Sequence, residues 1–135
     1  MNFAVEKFGG KIYEGVAQGL HTLSERVPLF IVSNCQSGYI ETFLKFSGFT
    51  ELFKDFECWG NTRKSKTENL AQIISRNNLK RPVFVGDTEG DRIAARGCQI
   101  PFHYMRYGFG KVEDFDAAFS SFAELSDCLL LALRN

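Results

Sequence analysis

Two carboxylates follow an apolar run of the sequence at a spacing that suits a metal site. The run is Pro82-Val83-Phe84-Val85, and Gly86 separates it from Asp87, with Asp91 four residues later. If a helix begins near Thr88, Asp91 lies one turn into it and points back toward Asp87. Carboxylates that converge on one point are costly unless a cation neutralises them, and hard oxygen ligands suit Mg²⁺. The alternative is that Asp87 caps the helix and Asp91 is a solvated surface acid.

A hydroxyl and an amide follow a second apolar run. Ser33 and Asn34 come directly after Leu29-Phe30-Ile31-Val32. In open parallel sheets, ligands bind beyond the carboxyl ends of the strands, so these groups and the acids are expected at one sheet edge. With the free backbone N–H groups of a following helix, Ser33 and Asn34 would make a cradle for an anion such as phosphate. The alternative is that Ser33 is an N-cap or a turn residue.

Two lysines lie close to the start of the helix expected over 66–77. Lys64 or Lys66 could reach over the strand ends and neutralise a phosphate, or the charge that develops in a transition state. The alternative is a solvated surface lysine. The spacing leaves open which of the two would act.

Short apolar runs alternate with amphipathic stretches along the chain, which predicts an α/β layered fold. The sheet is expected to be parallel with right-handed crossovers, because the two strong strands are apolar on both faces. The expected strands are 29–32, 56–59, 82–85 and 100–105, and the expected helices are 14–26, 38–46, 66–77, 91–96 and 122–133.

Length and composition narrow the class of protein. The 135 residues allow one domain, and 44% hydrophobic with 24% charged residues is typical of a globular protein. Sixteen basic and sixteen acidic residues balance, so no electrostatic footprint for nucleic acid or an anionic membrane is expected. No stretch suits a signal peptide or a membrane span. The four cysteines form no C-x-x-C pair, which favours reduced thiols and a cytoplasmic location.

The motifs, taken in order, resemble the haloacid dehalogenase superfamily, and within it the phosphoglycolate-phosphatase-like hydrolases. A strand followed by Ser33-Asn34, a lysine before a helix, and a strand followed by Gly86-Asp87 and Asp91 match the family's order. The similarity runs from about Tyr13 to the C-terminus. It implies a three-layer, Rossmann-like core with a parallel sheet, and a Mg²⁺-dependent phosphomonoester hydrolase that acts on a small phosphorylated substrate.

The resemblance assigns roles on the phosphate side of the site. Ser33 corresponds to the residue that hydrogen-bonds a phosphoryl oxygen, with Asn34 beside the same phosphoryl group. Lys66 is the catalytic lysine when the sequence is read as the family's K-x-E-N form, which we prefer. Lys64 takes that place in the other alignment, which requires the loss of two prolines, and is otherwise a candidate phosphate contact.

The resemblance also assigns the metal side of the site, and there the sequence departs from the family. Asp87 is expected to bind Mg²⁺ directly, and Asp91 to hold a metal-bound water or to orient the lysine. The family's first motif, a D-x-D after an apolar strand, supplies the nucleophile and the general acid. The one D-x-D of this sequence is Asp114-Phe115-Asp116, which follows no apolar strand and is expected to be a helix-capping turn. Reduced Mg²⁺ affinity is the expected consequence.

The missing motif has a structural counterpart. The family's first strand lies at the middle of the sheet, so the chain is expected to lack that central strand as well as the cap domain. Residues 1–135 are then one core domain that is N-terminally truncated relative to the family, with 1–12 a remnant of the cap or linker. The open inner edges would carry apolar side chains.

Three interpretations of this gap remain open at the level of sequence. The chain is a phosphatase by descent whose isolated form is inactive. Alternatively, Asn2 to Lys7 forms a substitute central strand, or a second copy or a separate N-terminal polypeptide supplies one. The third interpretation is a non-catalytic phosphate- or metal-binding protein, or an interaction module, on the same scaffold.

Overall fold

Strands and helices alternate along the part of the chain that the computed structural model describes, which is residues 2–5, 16–106 and 111–133. The strands are β1 (Asn2–Val5), β2 (Leu29–Ser33), β3 (Phe53–Cys58), β4 (Pro82–Gly86), β5 (Phe102–Met105) and β6 (Ala117–Phe119). The helices are α1 (Val16–Ser24), α2 (Tyr39–Ser47), α3 (Trp59–Thr62), α4 (Lys66–Arg76), α5 (Glu89–Gly97) and α6 (Phe122–Leu133).

The six described strands form one sheet in the order β3-β2-β1-β4-β5-β6. Each neighbouring pair is parallel. The predicted α/β fold with a parallel sheet is therefore confirmed. Because parallel strands cannot be joined by tight hairpins, a helix or a long connection must separate them along the chain.

The expectation of an empty central position is corrected by the structure. β1 lies between β2 and β4, and Val5 is in register with Ile31 on one side and Val85 on the other. The substitute central strand considered over Asn2 to Lys7 is therefore present for Asn2–Val5, while Glu6 and Lys7 lie outside the described residues. Backbone hydrogen bonding explains why β1 occupies this position. Without it, the facing edges of β2 and β4 would leave buried N–H and C=O groups unpaired. The assignment of 1–12 to a cap or linker stays a prediction.

Apolar cores on the two faces of the sheet make the fold three layers thick, as predicted. In β2, Leu29 and Ile31 face a core that includes residues of α1, α2 and α6. Phe30 and Val32 face the opposite core, which includes residues of α4 and α5. This alternation follows from the two-residue period of a strand.

The boundaries of several elements differ from those predicted. β3 begins at Phe53 rather than 56, and α5 begins at Glu89 rather than Asp91. Two short elements, α3 and β6, were not predicted. Only three or four residues long, both are too short to establish a hydrophobic period. No described helix combines the length and apolarity needed to cross a membrane.

Candidate functional site

The ends of β2 and β4 bring Ser33 and Asp87 to the same edge of the sheet. Val5 is in register with Ile31 and with Val85, so both site residues lie two positions beyond that level. Since adjacent strands are about 4.8 Å apart and β1 lies between these two, their backbones are separated by about 10 Å. The two site residues therefore flank the carboxyl end of β1, one on each side.

A buried ion pair joins the starts of α4 and α5 at this edge. The ammonium Nζ of Lys66 lies 2.7 Å from Oδ1 of Asp91, and the two side chains are 9% and 0% exposed. Lys66 is the first residue of α4, so the helix directs its side chain back toward the strand ends. The pair brings together two of the predicted site residues from segments 25 positions apart in sequence.

The second carboxylate oxygen of Asp91 is occupied by backbone donors. The N–H groups of Asp87 and Thr88 donate to Oδ2 at 3.0 and 3.2 Å. In return, the hydroxyl of Thr88 accepts the N–H of Asp91 at 3.2 Å, which completes a capping box at the start of α5. Both parts of the alternative interpretation are therefore wrong. Thr88 rather than Asp87 caps the helix, and Asp91 is buried rather than solvated.

Thr88 is a site residue that the sequence reasoning missed. The signal was present, because Thr88-Glu89-Gly90-Asp91 fits the pattern of a capping box before a helix. The same pattern, Ser65 with Glu68, caps α4 and fixes the start of this helix at Lys66. Both helices that supply the ion pair therefore begin with a side-chain cap.

Ser33 and Asn34 lie where the sequence predicted, at the end of β2, but in different environments. Ser33 is buried, and its Oγ accepts the backbone N–H of Cys35 at 3.3 Å. This contact is that of a turn residue, while the N-cap of α2 is Gly38, in the left-handed conformation. Asn34 is exposed.

The two candidate lysines are clearly distinguished by burial. Lys64 is exposed, and the contacts described for it are made by its backbone with Thr62 and Asn69. Asn69 is fully buried, and its side-chain oxygen accepts the hydroxyl of Thr62 at 2.7 Å. These bonds fix the segment just before α4, from which the side chain of Lys66 enters the site.

The donor set that could hold a cation is small in the described part of the chain. Residues 2–5, 16–106 and 111–133 contain no group of three or more His, Cys, Asp or Glu that could hold a metal ion. Both oxygens of Asp91 already accept hydrogen bonds, Oδ1 from Lys66 and Oδ2 from two backbone N–H groups. Asp87, half-buried after β4, is the carboxylate whose position suits Mg²⁺, which accepts one or two protein carboxylates with water and phosphate oxygens.

The one D-x-D of the sequence, Asp114-Phe115-Asp116, lies away from the carboxyl edge of the sheet. Asp116 accepts the N–H of Phe102, at the start of β5, at 2.7 Å, and Asp114 pairs with Arg92 and Arg96 of α5. The segment is therefore not a helix cap, as the sequence suggested, but a link between α5 and the amino end of β5.

Comparisons with known proteins give a family and a fold. Residues 5–105 match the family model of the haloacid dehalogenase-like hydrolases. A solved haloacid dehalogenase-like hydrolase from Streptococcus pneumoniae superposes with a TM-score of 0.81 at 18% identity, over 88% of this chain and 60% of that chain. No curated protein matches.

Two further solved structures have the same fold. A predicted phosphoglycolate phosphatase from Haemophilus somnus gives a TM-score of 0.80 at 20% identity, over 88% of this chain and 57% of that one. A phosphatase of the superfamily from Thermococcus onnurineus gives 0.78 at 18% identity, over 88% and 58%. The chain thus spans about 60% of the length of the solved structures that it resembles.

Proposed function

The chain belongs to the haloacid dehalogenase-like hydrolases, and on that premise we propose that it carries the phosphate- and magnesium-binding side of a phosphomonoester hydrolase site. The observation that supports this most directly is the buried Lys66–Asp91 pair at the carboxyl edge of the sheet. A buried ion pair contributes little to stability, and replacement by apolar groups is often neutral or favourable. The pair also lies beyond the carboxyl ends of the strands, where open parallel sheets bind their ligands.

Each residue has a chemical task in this proposal. The ammonium of Lys66 offsets the charge of a phosphoryl group. The hydroxyl of Ser33 accepts the N–H of Cys35 and can at the same time donate its own proton to a phosphoryl oxygen. Asn34 binds the same group at the rim. Asp91 positions Lys66, which is one of the two roles the resemblance gave it, and its contacts favour that role over a metal-bound water.

Magnesium is the expected cofactor, with Asp87 as the ligand that this chain supplies. The ion would offset charge on the phosphoryl oxygens and orient the substrate. Because Asp87 is the one carboxylate that we assign to the ion, we expect weak binding of the ion in the absence of phosphate.

The nucleophile is the part of the reaction that the sequence does not provide in the family's form. The first aspartate of the sequence is Asp55, which lies in β3 and pairs with Arg76. Without a D-x-D before β2, no aspartyl-phosphate forms by the family's route. We therefore propose that the 135 residues bind phosphate but do not turn over phosphomonoesters. A non-catalytic phosphate-binding or interaction module is the alternative, and the same missing aspartate supports it.

The partners follow from this chemistry. A small phosphorylated compound is the proposed ligand, and its identity depends on groups other than those described. Self-association, a nucleophile supplied by another polypeptide and a cytoplasmic location stay predictions.

The test measures binding and turnover separately. Isothermal titration calorimetry with inorganic phosphate in the presence of Mg²⁺ should show binding. In a separate assay, p-nitrophenyl phosphate should not be hydrolysed. Lys66→Met should weaken phosphate binding roughly tenfold or more, because one charge-assisted contact is worth about 1.5 kcal/mol or more. Lys64→Met, which removes an exposed lysine two residues away, should change the dissociation constant far less.

Three outcomes contradict parts of the proposal. Hydrolysis that Asp87→Asn abolishes would mean that the 135 residues contain a nucleophile. A folded protein that binds no phosphate would favour the interaction module. A larger loss of binding at Lys64→Met would assign the role to Lys64. If Lys66→Met does not fold, the Lys66→Met/Asp91→Asn double variant removes both charges together and keeps the comparison possible.

A further inference from the structure

Two cysteines lie on adjacent chain segments at the rim of the candidate site. Cys58 is the last residue of β3 and is in register with Ser33 of β2. Cys35 follows Ser33 by two residues in the segment that leaves the sheet. Both cysteines pack in the core that lies on the same face of the sheet. The proposed phosphate chemistry uses neither of them.

Backbone contacts hold the segment that contains Cys35 over the end of β3. The N–H of Gly60 donates to the carbonyl of Cys35 at 2.9 Å. The sulfur of Cys58 lies 3.9 Å from the carbonyl oxygen of Gln36. A Cβ at Gly60 would lie 2.8 Å from Cα of Gln36, so a glycine is required for this approach. The chain after Ser33 therefore turns over Cys58 instead of continuing away from it.

The pKa of Cys58 reflects both its burial and its neighbour. Burial raises the pKa of Cys58, and the nearby Cys35 thiol raises it further. Cys35 is half-buried, whereas Cys58 is fully buried. A reagent from solvent therefore meets Cys35 first, and Cys58 is reached through Cys35.

We propose that Cys35 and Cys58 are an intramolecular dithiol site, which a low-molecular-weight disulfide such as oxidised glutathione converts to a protein disulfide. The thiolate of Cys35 attacks the reagent's S–S bond and releases one thiolate. The thiolate of Cys58 then attacks the Cys35 sulfur of the mixed disulfide and releases the second. The net reaction turns two protein thiols and one reagent disulfide into one protein disulfide and two reagent thiols.

The site has the features that this exchange needs. A disulfide requires Cα atoms within about 7 Å. The Gly60–Cys35 hydrogen bond and the contact of Cys58 with Gln36 hold the two backbone segments next to each other. The other two cysteines do not share the arrangement. The sulfur of Cys98 contacts the carbonyl of Thr67 at 3.4 Å, on the opposite face, and Cys128 is exposed on α6. The inference holds whether or not the proposed phosphatase site is correct.

The experiment treats the reduced protein with an excess of oxidised glutathione, blocks the remaining thiols by alkylation, and measures the intact mass and a non-reducing peptide map. The map should contain one cross-linked peptide that joins Cys35 to Cys58, and neither of these two thiols should remain open to alkylation. The rate should rise with pH, because the thiolate is the reacting form. Cys128→Ser is the matched control and should still give the cross-link.

Two variants separate the order of the steps. Cys58→Ala should stop the reaction at one glutathione on Cys35, whereas Cys35→Ala should leave Cys58 unmodified, since it is fully buried. A wild-type map with glutathione on Cys35 but no Cys35–Cys58 cross-link would overturn the proposal, as would dimers linked through Cys35. The wild-type map decides the question even if Cys58→Ala does not fold.

Discussion

At the scale of single residues, Asp91 has the most constrained side chain of the candidate site. It binds Lys66 through one oxygen and the strand end through the other, and it is fully buried. Removal of one partner of such a pair leaves a buried charge, at a cost of about 3 to 5 kcal/mol. The local fold thus depends on a carboxylate for which the resemblance implied a role either toward a metal-bound water or toward the lysine.

Gly86 is the residue that gives Asp91 its space, and its replacement is a sharp test of that geometry. A Cβ at Gly86 would lie 2.6 Å from Cβ of Asp91, nearer than side chains approach one another. Gly86→Ala should therefore lower the free energy of unfolding by about 1 to 3 kcal/mol, the usual range for overpacking. Denaturant titration followed by circular dichroism measures the change.

Gly90, four residues along in α5, provides the matched control. A Cβ there meets only the hydroxyl of Thr88, at an ordinary 3.7 Å. Gly90→Ala should be neutral or stabilising, by up to about 1 kcal/mol, because alanine is the better helix former. Equal losses in the two variants would mean that contact with Asp91 is not what requires a glycine at Gly86.

Several of these residue-scale features could be predicted from the sequence, and others could not. Ser33 and Asp87 were placed correctly because each follows an apolar strand. The preference for Lys66 over Lys64 came from the resemblance, whereas the burial of Lys66 and the exposure of Lys64 are visible only in the structure. The proximity of Cys35 to Cys58 depends on a turn between two strands that no local pattern encodes.

At the scale of elements, one acid connects three segments that meet at the amino end of β5. Asp116 accepts the N–H of Phe102 at 2.7 Å and pairs with Arg96 of α5 at 2.8 Å, and its own N–H donates to the carbonyl of Phe102. The backbone hydrogen bond from Phe102 lowers the pKa of Asp116, with Arg96 adding to the effect. β6 begins at the next residue, so this contact sets its register against β5.

Replacement of this acid should show its backbone role. Asp116→Ala leaves the N–H of buried Phe102 without its acceptor and should cost about 1 kcal/mol, since the half-exposed carboxylate is screened by solvent. Asp114→Ala removes only exposed ion pairs with the same helix and should change stability far less. Chemical denaturation of both variants measures the difference. A larger effect at Asp114 would mean that the ion pairs, not the backbone bond, join the elements.

At the scale of the whole molecule, the layered order was predictable and the middle of the sheet was not. Unbroken apolar runs at β2 and β4 indicated parallel strands covered on both faces, and two cores confirm it. β1 has only four residues and no strong apolar pattern, so its central place depends on the ladders of both neighbours. Pairing across 80 positions of sequence, as between Asn2 and Pro82, has no local signal.

The stability of the molecule should depend on pH because His103 is largely buried in the fold. Burial lowers the pKa of His103, although the charge of Asp116 opposes the shift. Its Nδ1 is buried with no hydrogen-bond partner among the described residues. The neutral ring therefore suits the fold, and the unfolded chain binds the proton more readily. Stability is complete above the ordinary histidine pKa of about 6.5 and is lost as pH falls from there toward the lower folded value.

Equilibrium unfolding measured between about pH 8 and pH 5 tests this expectation. The free energy of unfolding should decrease below about pH 6.5 in the wild-type protein, and His103→Leu should flatten that decrease. His21→Gln, at the other histidine, exposed on α1, should retain it. Carboxylates that pair with arginines affect stability in a separate pH range. Asp55, for example, has a lowered pKa, so its contribution to the free energy of unfolding is lost only below about pH 3.8. A profile that still falls below pH 6.5 in His103→Leu would assign the proton to another group.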